Sequence, residues 1–315
     1  MKKKILITGA GGYIGTELCE YLSDYNYNIV ALDTFWFGNK IKKKIKIIKK
    51  DIRFLKEEEF PNSIDTVIHL AAISNDPSAE LNSKLSWEVN VLGLLNILNL
   101  SYKKKVKKFI FASSGSVYGV KKEKKVSENL SLVPITDYNK TKMVGEKLVE
   151  SFRDKMQTII LRPATVCGVS KNLRLDLTIN MLTYTAIKKN KITVFGGSQY
   201  RPNLTLIDMI NVYHFFIKKN YSGIFNVGFE NEKVIDIALK IKKKIKKIKI
   251  YKRKSNDVRS YRLDSSKLLL KGYKKISSIE NEINNLKKYF LSENFNFSNN
   301  MIRIKHLKKV LSKKN

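Results

Sequence analysis

The stretch ILITGAGGYIG, residues 5–15, narrows what this chain can fold into more than any other segment. A short apolar run reads as a strand, and Gly9, Gly12 and Gly15 then follow at three-residue spacing as a helical pattern begins. Each glycine has its own physical task. The first permits a sharp turn, the second lets backbone approach a pyrophosphate, and the third lets helix and strand pack closely. The pyrophosphate would rest on the helix N-terminus, at Tyr13 and Ile14, where free N–H groups and the helix dipole favour an anion. The next apolar run, NIVALD, ends in Asp33, whose carboxylate is placed to accept hydrogen bonds from the adenosine ribose hydroxyls. An acid there disfavours a 2′-phosphate, so NAD is the expected cofactor; NADP stays open because Lys40 and its neighbours lie downstream.

Further strands are expected in IKIIKKDI, DTVIHLAA, KKFIFASS and TIILRPATV, separated by helical patterns over about 84–104 and 137–155. Strands alternating with helices imply βαβ units, right-handed crossovers and a parallel sheet covered on both faces. The expected fold class is therefore α/β, a Rossmann-like doubly wound parallel sheet with a smaller C-terminal substrate-binding domain. The dinucleotide-binding domain is placed at 1–168 plus about 204–228, because GIFNVGF reads as a strand returning to the main sheet. The substrate-binding domain is placed at about 169–203 and 229–291, and 292–315 is read as a basic tail, a helix beyond the core or a disordered end.

A second constellation carries the chemistry. ASSGSVYG sits at the end of a predicted parallel strand, where α/β sheets bind ligands, and DYNKTK follows about twenty residues on. Tyr138 and Lys142 lie four apart on a predicted helix, so they share one face. A phenol titrates near ~10, too high for a base at neutral pH, and a neighbouring ammonium should bring it down toward working pH. A serine hydroxyl at the strand end can bond the same substrate oxygen that Tyr138 deprotonates.

Taken in order, TGAGGYIG, HLAA, SSGSVYG, YNKTK, LRPATVCG, YRPNLTLIDM and RLDSSKL resemble the extended short-chain dehydrogenase/reductase superfamily. Within it they resemble the NAD-dependent nucleotide-sugar epimerase/dehydratase branch, UDP-glucose 4-epimerases in particular, over nearly the whole chain. The resemblance implies that Ser114 completes a catalytic set with Tyr138 and Lys142, the lysine also holding the nicotinamide ribose. It implies that Asp51 and Ile52 flank the adenine and that Leu70, Ala71 and Ala72 pass close to the pyrophosphate and nicotinamide ribose. It leaves His69 a structural role. It gives Arg201, and more weakly Arg259, a grip on a nucleotide diphosphate, and puts Thr165 where many relatives contact substrate phosphates through asparagine. The dehydratases of this branch carry an Asp-Glu pair directly after the catalytic Ser or Thr. Here Gly115 and Ser116 stand instead, so a 4,6-dehydratase is not expected.

The expected activity is epimerisation of a nucleotide-diphospho-sugar through a keto intermediate. The alternatives are an NAD(P)H-dependent reductase or dehydrogenase of a nucleotide-linked 4-keto sugar and, from another class, a non-catalytic dinucleotide-sensing or RNA-binding protein. The formal charge of +33 invites the last of these. The lysines are, however, spread along the chain together with isoleucine and asparagine, which reads as compositional bias on a solvated surface, so no nucleic-acid partner is expected. Two cysteines, Cys19 and Cys167, give neither a disulfide framework nor metal spacing; no metal is expected, and the cytoplasm is the expected compartment. No apolar run reaches the ~18 residues of a membrane span, so no membrane partner is expected. The resemblance also implies a homodimer, built from the helices near 84–104 and 137–155.

Overall fold

Apolar residues on both faces of successive strands fix a sheet that must be covered on both sides. The structure, a computed structural model, describes residues 2–255 and 259–312. In β1 (Lys4–Thr8), Ile5 and Ile7 enter one core while Leu6 enters the other. In β2 (Asn28–Asp33), Ile29 and Ala31 oppose Val30 and Leu32 in the same way. Neighbouring side chains of a strand point to opposite faces, so each strand feeds two cores at once. The chain continues with β3 (Lys46–Lys49), β4 (Thr66–His69), β5 (Lys108–Ala112), β6 (Gln157–Pro163) and β7 (Thr165–Cys167). Then come β8 (Lys191–Phe195), β9 (Tyr200–Thr205), β10 (Gly223–Val227), β11 (Glu230–Lys233) and β12 (Lys249–Arg253).

Seven strands form one parallel sheet in the order β10-β6-β5-β4-β1-β2-β3. This is the doubly wound α/β arrangement expected, and GIFNVGF does return to the main sheet as β10. Strand order reverses at β1, with β2 on one side and β4 on the other, so a crevice opens beyond their C-terminal ends. Helices Tyr13–Asp24 and Leu206–Lys218 cover one face through Leu18, Leu22, Met209, Val212 and Phe216. Helices Leu94–Lys103 and Asp137–Glu150 cover the other through Leu94, Ile97, Leu98 and Val149.

The helical stretch expected over about 84–104 runs unbroken over residues 83–103, widened at its centre, and a further short helix precedes it. Asp76–Leu81 and Ser83–Trp87 lead into a wider, i→i+5 turn at Glu88–Gly93 and then Leu94–Lys103. The wide turn holds Asn90, whose amide accepts from the N–H of Ile73 (2.8 Å) and donates to the carbonyl of Ile73 and the hydroxyl of Thr141. The loop after β4 is thereby clamped to the helix behind it.

Outside the main sheet, β11-β9-β7 and β12-β8 make two small sheets, backed by helices Thr178–Lys189, Val234–Lys244 and Ile279–Leu291. The segment read as a basic tail carries the helix Arg303–Ser312, and this helix packs against the helix Asp76–Leu81. Its Leu307 is buried in the core that also holds Leu6 and Leu32, and its Arg303 is buried as well.

Candidate active site

The crevice at the reversal of strand order is a cleft of about 550 Å³. Its dinucleotide end is shaped by backbone. Gly9 has φ +73°, and a Cβ there would lie 2.5 Å from the amide nitrogen of Ala71. A Cβ on Gly15 would run into the carbonyl oxygen of Gly9, so any side chain at either place forces turn, helix and neighbouring strand apart. The helix opens at Gly12 with no side-chain cap, which leaves its first N–H groups for an anion. Tyr13 and Ile14 line the cleft at that opening.

Asp33 lines the same cleft from the end of β2, and it also supports the turn. Its carboxylate accepts from the N–H of Gly11 (3.0 Å) and of Phe35 (2.6 Å). Burial raises its pKa, with those N–H groups acting in the opposite direction. Leu70, Ala71 and Ala72 form the adjoining rim beyond β4. His69, at the end of β4, is buried with Nδ1 2.9 Å from the hydroxyl of Thr8, and burial pushes its pKa down to about 3. A histidine so placed stays neutral and has no access to a proton donor in solution. Asp51 and Ile52 line the cleft too. The Asp51 carboxylate caps the short turn Ile52–Phe54 through the N–H of Arg53 and pairs with its guanidinium at 2.8 Å.

Opposite the glycine turn, Ser114, Tyr138 and Lys142 converge on the cleft. Thr136 caps the helix Asp137–Glu150, which aims Tyr138 from its first turn at the end of β5. The Ser114 hydroxyl lies 2.7 Å from the Ser116 hydroxyl, which donates to Asn139 at 2.5 Å. The expected lowering of the phenol by Lys142 is not what the geometry gives. Burial pushes Tyr138 up to about 12, and the groups that oppose this are Arg174 and Ser114. Lys142 sits 5.9 Å from the phenol ring centroid and donates instead to the carbonyl of Ala112 at 2.7 Å. Burial pushes it down to about 7, so it is a weakly held cation rather than a fixed charge.

The far wall carries Thr165, Arg201 and Arg259. The Arg201 guanidinium donates to the backbone carbonyl of Arg259, and Arg259 reaches across the cleft to Asp76 at 2.8 Å. Asp76 also accepts from the Thr136 hydroxyl at 2.7 Å. Cys167, two residues beyond Thr165, is fully buried, and burial pushes its thiol pKa well up, which suits a core residue.

Several lining residues drew no attention in the sequence. Arg174 pairs with Asp176 through two bonds (3.0 and 2.9 Å) and donates to Ser74, while Asn75 donates to Asp176 at 2.5 Å. An Arg-x-Asp pair in a loop has no distinguishing spacing in the sequence. Trp36, Arg303 and Leu307 also line the cleft, the last two from the C-terminal helix. Among the described residues, no group of three or more His, Cys, Asp or Glu is placed to hold a metal ion. Among them, too, no helix is long and apolar enough to cross a membrane.

Residues 5–228 match the model of the NAD dependent epimerase/dehydratase family. A relative from Bacillus subtilis, an uncharacterised UDP-glucose epimerase, is 34% identical over 220 residues, covering 65% of this chain and 69% of the relative. The UDP-glucose 4-epimerase of Lactobacillus helveticus is 28% identical over 273 residues, covering 76% of this chain and 81% of its own. Among solved structures, the UDP-glucuronic acid 4-epimerase of Bacillus cereus, in complex with UDP-glucuronic acid and NAD, superposes with a TM-score of 0.81. That match has 28% identity and covers 91% of this chain and 98% of the other.

Proposed function

This chain belongs to the NAD-dependent epimerase/dehydratase family, and we propose that it is a nucleotide-sugar epimerase that inverts a carbinol carbon through a keto intermediate. NAD is its cofactor. The observation that carries the reading is the convergence of Ser114, Tyr138 and Lys142 on one side of a cleft whose other side is the Gly9–Gly15 turn. NAD, when bound, would supply the reversible hydride acceptor for the sugar carbon. Tyr138 takes the hydroxyl proton as that hydride leaves and gives it back on return, so the centre can be inverted when the hydride comes to the opposite face of the ketone. Ser114 bonds the same substrate oxygen. Burial opposes ionisation of Tyr138, so positive charge has to offset it, and Arg174 supplies part of that charge.

The substrate is a nucleotide-diphospho-sugar, the diphosphate being held by Arg201 and Arg259, with Thr165 donating one further bond. Guanidinium groups suit phosphate oxygens because their N–H pairs match them bidentately. Arg259 would exchange its Asp76 partner for phosphate. Residues 1–168 and about 204–228 act as the dinucleotide-binding domain, and about 169–203 and 229–291 as the substrate-binding domain. A cytoplasmic homodimer fits the family, with Leu92, 59% exposed within the wide helical turn, as the natural contact; a monomer in sedimentation equilibrium would sink that part.

Purified protein incubated with a panel including UDP-glucose and UDP-glucuronic acid, followed by NMR, tests the reading. Turnover to the inverted sugar without added nicotinamide is expected. Consumption of stoichiometric NAD(P)H would replace epimerase by reductase. RNA binding with no sugar turnover would replace both. None of the comparisons favours these alternatives.

A further inference from the structure

Arg303 is an arginine almost wholly buried, 4% exposed, with no carboxylate at ion-pair distance among the described residues. Its two amino groups donate to neutral oxygens only: the carbonyl of Asn300, and the carbonyl and side-chain oxygen of Asn172, each at 2.9 Å. The guanidinium carbon lies 4.1 Å from the Phe37 ring centroid. Burial pushes its pKa down to about 9, with Arg174 acting in the same direction and Asp176 and Asp33 against it. A buried cation without a partnered anion is costly, so a site of this kind fits an anionic group that arrives from outside.

The surroundings say which end of the cleft that group enters. Asn172, which holds Arg303, donates to the carbonyl of Gly11 at 2.5 Å, within the glycine turn. Phe37, which the guanidinium covers, lies four residues beyond Asp33. Arg303, Ile304 and Leu307 line the cleft together with Gly9, Asp33 and Trp36. The C-terminal segment is tied to both rims: Leu175 donates to the carbonyl of Met301 at 2.7 Å, and His306 Nε2 lies 2.6 Å from the carbonyl of Trp36.

We propose that the C-terminal helix is the outer wall of the dinucleotide site and that Arg303 binds a phosphate of the adenosine half of the dinucleotide. This rests on the reading of the cleft as an NAD site and extends it to residues outside the family match at 5–228. The phosphate chemistry is shared by two sources, the pyrophosphate of NAD and the 2′-phosphate of NADP. Seated against Asp33, a 2′-phosphate meets a carboxylate, so the pyrophosphate is the favoured one.

The test is calorimetric titration of the full chain and of Arg303→Gln with NAD, ADP-ribose and NADP. Wild type should bind NAD, and Arg303→Gln should bind NAD and ADP-ribose alike 10–100-fold more weakly. A loss confined to NADP would assign the residue to the 2′-phosphate. Wild-type affinity of a folded Arg303→Gln for all three would overturn the proposal while leaving the NAD site intact. Failure of wild type itself to bind NAD would instead overturn the function on which the proposal rests. If Arg303→Gln does not fold, hydrogen exchange of the wild-type helix Arg303–Ser312 decides. Protection rising tenfold or more with NAD supports the proposal, and unchanged exchange overturns it.

Discussion

Glu146 and Lys142 lie four residues apart on the helix Asp137–Glu150, yet the two turns of that helix treat charge in opposite ways. On the Glu146 side the protein closes the circuit. Arg162 meets the carboxylate through two bonds of 2.9 and 2.6 Å, the Ser113 hydroxyl donates to it at 2.5 Å, and Arg162 continues to Tyr118 and from there to Asn226. Both members of the pair are at most 3% exposed. On the Lys142 side the circuit is left open: an amine held by one carbonyl and a phenol pushed up to about 12. A satisfied buried network fixes one structure, whereas an unsatisfied one favours whatever ligand completes it. Lys108 shows that burial alone does not make a lysine part of the open kind. Its amine is also buried, but it donates to the carbonyls of Phe216, Ile217 and Lys219 at the end of a helix, a structural anchor.

The sharpest way to break this comparison is at the phenol. Tyr138→Phe should lower turnover by about 10²–10⁴-fold, some 3–5 kcal/mol, and leave stability and NAD affinity near wild type. Activity within tenfold of wild type would mean that the open cluster has no chemical task.

On the closed side the loss should appear in stability instead. Glu146→Leu strands Arg162 in the core and should destabilise the fold by about 3–5 kcal/mol in urea-induced unfolding. Adding Arg162→Met should recover a good part of that. If the double variant is no more stable than the single, the pair contributes something other than mutual neutralisation.

The smallest effect, and the one that sharpens the contrast most, is the pH dependence set by Lys142. Its pKa is about 7 in the folded chain against an ordinary ~10.4, so between those values the unfolded chain binds a proton that the folded chain does not. Stability contributed by this site therefore rises with pH through that window and levels off above it. Lys142→Met should be more stable than wild type near pH 7 by on the order of a few kcal/mol, and the difference should shrink as pH approaches 10. Its turnover should fall. Urea midpoints of both proteins at pH 7 and 9.5 read this, and a difference that does not change with pH would place the lysine among the structural anchors.

Much of this was legible in the chain itself, because local rules carry it. Period-two burial in ILIT and NIVALD dictates a sheet with two cores. The Gly9–Gly15 spacing dictates the turn, since only a missing Cβ lets Ala71 and the Gly9 carbonyl come so close. The four-residue step from Tyr138 to Lys142 puts both on one helical face. What escaped was long-range. Arg174 had no spacing to mark it, and the effect expected of Lys142 on Tyr138 depended on where the amine points, which is toward Ala112.

The C-terminal segment shows the division most plainly. Its sequence states a basic, amphipathic helix and nothing about where that helix goes. Only the folded chain brings Arg303 to Asn172 and Leu307 into the core that holds Leu6 and Leu32, across more than a hundred residues in each case. Propensity and periodicity act over a few residues and are written locally. The environment of a charge is decided by whichever distant groups the packing places around it, and that is where this protein's cleft acquired its character.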